Sequence, residues 1–114
     1  MERIHLSEDR RKPLVEFDSS AFLTRICRTT SETRIGFIQL ESNGIIGLHQ
    51  AMVPQLLLVV SGSGIVESDG KELSIQVGDA VFWESGEWHQ THSSLGMSAI
   101  VIESESLNLS LLRK

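Results

Sequence analysis

Apolar residues fall in short runs along this chain, LVEF, AFLTRIC, RIGFIQL, QLLLVV, KELSIQV, AVFW and MSAIVIES, separated by clusters of Gly, Ser, Asn and Asp. Such runs with turn residues at their ends read as strands. In RIGFIQL, Ile35 and Phe37 share a face with Gln39, and Gly36, Ile38 and Leu40 share the other, so the pattern predicts a strand covered on both sides. Pro54 predicts a bend before QLLLVV, and that run is apolar enough to be buried on both faces. SGSG (61–64) reads as a turn, Ser68-Asp69-Gly70 as a hairpin, and Asn43-Gly44, Gly78-Asp79 and Glu84-Ser85-Gly86 as further turns. About nine or ten short strands and no long amphipathic helix indicate an all-β barrel or sandwich. Strand content alone leaves open a jelly roll, an up-and-down barrel and an immunoglobulin-like sandwich. The last segment, SLNLSLLRK, is open between a terminal strand and a short helix.

Length and charge narrow the class of function. At 114 residues the chain suits one domain with one core. A net charge of −5, with basic residues scattered apart from Arg10, Arg11 and Lys12, argues against a nucleic-acid partner. No apolar run reaches the roughly 18 residues of a membrane helix, and MERIHLSEDRRKPL lacks the apolar core of a signal peptide, so a cytoplasmic, non-membrane protein is expected. The single cysteine, Cys27, lies in the strand-like LTRICRT with no His or acid beside it, and is read as a packing residue rather than a reactive thiol.

The chemistry concentrates between His49 and Ser93. His49 is followed by Ala51 at the second position after it, by Gln55 three residues further on, and by Gly62 after six more. Gly78 is followed, after five residues, by Glu84-x-Gly86, then His89 and Ser93. This spacing resembles the two motifs of the cupin superfamily: Gly, five residues, His-x-His, three or four residues, Glu, six residues, Gly; and Gly, five residues, Pro-x-Gly, two residues, His, three residues, Asn. The leading glycine sits one place late, as Gly44, and fifteen residues separate Gly62 from Gly78, as suits a compact member. The resemblance implies a double-stranded β-helix, or jelly-roll barrel, over residues 14–104, with an N-terminal arm (1–13) and a C-terminal tail (105–114) packed on the barrel.

In the family pattern, two histidines two apart on a strand point the same way, and a carboxylate and a third histidine approach from neighbouring strands to hold a divalent transition metal. Here Ala51 has no donor and Gln55 offers an amide in place of a carboxylate. His49, Gln55 and His89 are therefore the candidate ligand-binding trio, and the same three are the candidate ligands for Fe, Mn, Ni or Zn, with the metal-free alternative that Gln55 merely partners a buried imidazole. Two functions follow. One is a small cupin that binds a small polar or anionic metabolite, weakly dependent on metal or free of it; the other is a metal-dependent dioxygenase, isomerase or lyase with a reduced His/Gln/His site. A third, a sensory domain of a regulator, would need a separate DNA-binding partner. The resemblance also implies a homodimer formed through edge strands or the N-terminal arm. His92, three residues after His89, is expected on the opposite face, and His5 in solvent. Trp83 and Trp88 are assigned to core packing or a dimer contact, with ligand stacking as the second role, and Glu84 and Glu87 are not assigned catalysis.

Overall fold

Among the described residues ten strands form, most of them where the polar breaks delimit them: β1 (Glu2–His5), β2 (Lys12–Leu14), β3 (Ala21–Leu23), β4 (Arg34–Leu40), β5 (Gly44–Gln50), β6 (Gln55–Ser68), β7 (Lys71–Gln76), β8 (Asp79–Trp83), β9 (Trp88–Ser93) and β10 (Met97–Glu103). The structure is a computed structural model and describes residues 1–112, without the side chain of Glu8. One path of antiparallel pairs runs β1-β8-β6-β10-β4; β6 also pairs with β7 and β9, and β9 with β5. Strands β2 and β3 pair only with each other, as a separate two-stranded hairpin.

SGSG is not a turn. It lies in the middle of β6, whose first half pairs with β8 and β10 and whose second half pairs with β7 and β9. The register shifts by one residue near Val59 to Ser61, and Gly62 takes a φ of +74°. A bulge and a glycine bend one long strand from one sheet into the other, which is how the two sheets come to share β6. The hairpin after Ser68 does form, with Asp69 and Gly70 both at positive φ between the paired Ser68 and Lys71, as a two-residue type I′ turn requires.

Two apolar layers result. Leu57, Val59, Val66, Ile75, Val81, Trp83, Met97 and Ala99 fill the inside of the barrel. Leu56, Ala80, Phe82 and Ile4 face outward and are covered by Leu109 and Leu112, with Ile26, Cys27 and Leu107 packed beside them. Burial of β6 on both faces follows from this double cover, as QLLLVV predicts. β1 is an edge strand paired with β8, with Ile4 buried. β4 departs from expectation: Ile35 and Phe37 are exposed and Ile38 and Leu40 half-buried. It ends the path, paired with β10 alone, and the segments that cover the outer layer do not bury its outward side chains.

Three local expectations also change. LVEF is not a strand, because Leu14 ends β2 and Glu16–Asp18 form a 3-10 turn with Phe17 in the left-handed region, φ 60°. Cys27 lies outside any strand, half-buried against the outer layer, and burial pushes its thiol pKa up, which fits packing rather than reactivity. The tail up to Leu112 is neither strand nor helix; it runs as turns pinned by the bridge between Arg28 and Asn108. Arg113 and Lys114, the end of SLNLSLLRK, lie outside the described residues.

Candidate functional site

The barrel brings His49, Gln55 and His89 to one cavity of about 90 Å³, together with Trp83, Thr91 and Glu103 and the apolar Ile38, Ile46, Leu57 and Val101. Pairing explains the convergence. β5 and β9 are antiparallel partners with His49 opposite His89, and their ring centroids are 4.3 Å apart. β6 brings Gln55 opposite Glu103 of β10 on one side and opposite Trp83 of β8 on the other. The indole of Trp83 stacks on His89, 4.1 Å between centroids and 15° from parallel. His49 and His89, forty apart in the chain, are thus neighbours through the β5–β9 pair, and Gln55, Trp83 and Glu103 through the two pairs that share β6.

Hydrogen bonds set the state of each polar group. Nδ1 of His49 lies 2.8 Å from the carbonyl oxygen of Gly47, and Nδ1 of His89 lies 3.3 Å from that of Glu87. A carbonyl only accepts, so each Nδ1 carries its proton and donates it. In the neutral rings, each Nε2 is then left with a lone pair. Gln55 donates from its amide nitrogen to the Glu103 carboxylate at 3.2 Å; its partner is this acid rather than an imidazole. Burial holds the pKa of His89 below the ordinary imidazole value, the Glu87 carbonyl opposes this, and the nearby His49 adds to the lowering. Trp83 is 1% exposed, and its Nε1 is a buried donor with no partner, singular in this respect among the described residues. Such a group is costly and points to a missing acceptor.

Glu103 is the residue that reading the sequence overlooked. Its signal was present: Met97, Ala99 and Val101 have inward parity in MSAIVIES, and Glu103 continues that parity as the first charged side chain. Glu87, by contrast, has a structural role. Its carboxylate accepts from the Glu84 N–H at 2.9 Å and from the Ser68 hydroxyl at 3.3 Å, and meets the Met1 amine at 2.6 Å. Burial tends to raise its pKa, but these partners together lower it. Glu84 and Trp88 are exposed.

His92 does lie away from the cavity. It lines a wider surface cleft of about 430 Å³ with Arg3, His5 and Asp79. His5 is not simply solvated, since its Nδ1 meets the buried Asp79 carboxylate, whose other oxygen accepts from the Gln76 N–H at 3.0 Å. The cleft is larger than the cavity, but no buried polar side-chain atom described there lacks a partner. Enclosed chemistry is better supported at His49 and His89.

Whether the cavity suits a transition metal depends on its donors. Both imidazoles are turned as metal-bound histidines are, with Nδ1 donating to a carbonyl and Nε2 free. The remaining positions fall short. Ala51 supplies no donor, Gln55 is engaged with Glu103, and among the described residues no three His, Cys, Asp or Glu side chains converge to hold an ion. The residues present do not make up the ligand set that a catalytic transition metal requires.

An antiparallel barrel of two sheets sharing a long strand, with its polar cavity between facing strands, is the architecture of a double-sheet jelly roll. The chain belongs to the cupin family: residues 36–103 match the family described as "Cupin domain". Solved structures agree on the fold. A cupin superfamily protein of Desulfitobacterium hafniense is 13% identical with a TM-score of 0.62, over 90% of this chain and 97% of that one. A predicted oxalate decarboxylase of Thermotoga maritima is 22% identical with a TM-score of 0.57, over 66% of this chain and 64% of that one. A conserved protein of unknown function from Streptococcus pyogenes is 16% identical with a TM-score of 0.62, over 70% and 73%. Identities this low carry the fold and not the activity. No curated protein sequence matches the chain.

Proposed function

We propose that this cupin binds a small metabolite in the cavity lined by His49, Gln55, His89 and Glu103, and that binding does not depend on a transition metal. The observation that carries the reading is the convergence of two imidazoles, an amide and a carboxylate on one cavity. Polar groups converging among Ile38, Ile46, Leu57 and Val101 are what a small-molecule site needs. The volume is well under the ~300–1,000 Å³ of sites for drug-sized ligands, so the bound group has few heavy atoms.

Elemental analysis of protein purified without chelator or an affinity metal tests the metal-free part of this reading. Metal well below one equivalent is expected. One equivalent of Fe, Mn, Ni or Zn that survives dialysis, and whose removal abolishes ligand binding, would overturn it and restore the metal-dependent enzyme as the better reading.

A further inference from the structure

We propose that the cavity selects a small organic ammonium ion with an oxygen on the neighbouring carbon, the amino alcohol being the simplest such ligand, over a neutral diol or an acid. The proposal rests on reading the cavity as a binding site and adds the class of ligand.

The argument is one of hydrogen-bond polarity. With Nδ1 of His49 and of His89 donating to the carbonyls of Gly47 and Glu87, the neutral rings offer only their Nε2 lone pairs. Ionised Glu103 can only accept. Gln55 donates one amide N–H to Glu103 and keeps its second N–H as a donor and its amide oxygen as an acceptor. Four side chains of the cavity therefore present acceptors, against two donors, the second Gln55 N–H and the Thr91 hydroxyl. A ligand must reverse this, with more donors than acceptors.

Charge separates the candidates that meet this condition. Among the described residues no Lys or Arg lines the cavity, and Glu103 is the formally charged group of its lining. The nearest cation to Glu103 is Arg34, at 3.9 Å and with 65% of its side chain exposed, a pair weakened by solvent. An acid entering here would set its charge against a carboxylate and against lone pairs, among apolar walls that strengthen the repulsion. A diol could donate to two acceptors but would leave the carboxylate charge unmatched. An ammonium group has three N–H donors and a positive charge, matching in number the two imidazoles and the carboxylate. An oxygen on the adjacent carbon supplies an acceptor for the second Gln55 N–H or the Thr91 hydroxyl. A metal ion shares the charge, but the third ligand it needs is lacking.

The test compares three probes of nearly equal size, 2-aminoethanol, ethane-1,2-diol and glycolate, titrated at pH 7.5 into nitrogen-15-labelled, metal-stripped protein. The indole N–H resonance of Trp83 reports occupancy, and Trp88→Phe assigns it, since the chain has two tryptophans. 2-Aminoethanol is expected to move that resonance and to bind at least about tenfold more tightly than the diol or the acid, the worth of one charge-assisted hydrogen bond. Glu103→Gln is expected to erase the preference for the amine over the diol and the acid. Arg34→Gln, which leaves Glu103 in place, is expected to bind the amine as tightly as the unaltered protein or more so. Glycolate or the diol binding as tightly as the amine, or a preference that survives Glu103→Gln, would overturn the ammonium assignment and leave the cavity as a binding site. Failure of all three probes to move the Trp83 resonance would overturn both.

Discussion

His89 is 3% exposed and stacked on Trp83, so a proton added to it would have to be carried largely without water. Its folded pKa lies below the ordinary 6.5, chiefly through burial. Between 6.5 and that lower value the unfolded chain binds more protons than the folded one, so stability rises with pH across the window. The consequence is a loss of stability that begins as pH falls below 6.5 and levels off below the folded pKa. Urea midpoints measured from pH 7.5 to 5 should show this slope, and His89→Gln should remove its contribution; an unchanged slope would assign it elsewhere. Trp83 makes a second prediction at this scale. Trp83→Phe removes the unpartnered N–H while keeping an aromatic ring, so relief of about 1–3 kcal/mol offsets lost packing. Stability should stay within about 1 kcal/mol of the original by urea denaturation, although truncations of buried aromatics commonly cost about 3–5. A loss in that larger range would mean that the indole N–H is not an unmet donor.

Among the elements, β6 decides the architecture, and Gly62 decides β6. A Cβ built at Gly62 would meet the Gly96 carbonyl oxygen at 2.2 Å, and the φ of +74° is one that L side chains rarely adopt. At Gly70, φ is also positive at +78°, but a Cβ would have nothing within 4 Å. Gly70→Ala should therefore cost about 1–2 kcal/mol, the backbone penalty alone. Gly62→Ala should cost more than about 3 kcal/mol or prevent folding, because steric displacement of the β10 approach adds to the same strain. Equal losses for the two, by urea denaturation, would show that the crossing at Gly62 can relax.

For the whole molecule, the hairpin of β2 and β3 stands as a two-stranded sheet, a form marginally stable by itself in water. Val15 and Phe17 at its tip are exposed, Phe17 by 95% and in a left-handed conformation unusual for a bulky residue. Ile35 and Phe37 leave a second apolar patch on β4. Residues 10–28 carry five basic side chains and two acidic, whereas residues 29–112 carry two basic and ten acidic. We propose that a homodimer sets the exposed apolar tip of this hairpin, with the basic residues that flank it (Arg10, Arg11, Arg25 and Arg28), against the acidic barrel of the other copy. Light scattering at micromolar concentration should give about twice the 12.7 kDa chain mass, and the double change Val15→Ser and Phe17→Ser should shift it towards monomer. A monomeric unaltered protein would reject this pairing.

The sequence by itself determined the strand-rich class and most strand limits, because alternation and turn residues are local properties of the chain; a site shared by His49 and His89 was implied by the family resemblance of their motifs, and the pairing of β5 with β9 brings it about. The sequence did not reveal that SGSG lies inside a strand, since glycine and serine mark a turn and a bulge alike; the pairing of β6 with four neighbours distinguishes them. Nor did it reveal that β4 is exposed outward, because cover depends on which segments reach that face. The cavity shows the same division. Gln55 was legible at the position of the family's acid, but its partner Glu103 lies 48 residues away and meets it only through the register of β6 with β10. The unmet N–H of Trp83 is likewise a fact of burial, which no single residue encodes. Local pattern therefore decided which strands form, and long-range pairing decided which donors and acceptors face one another inside the barrel.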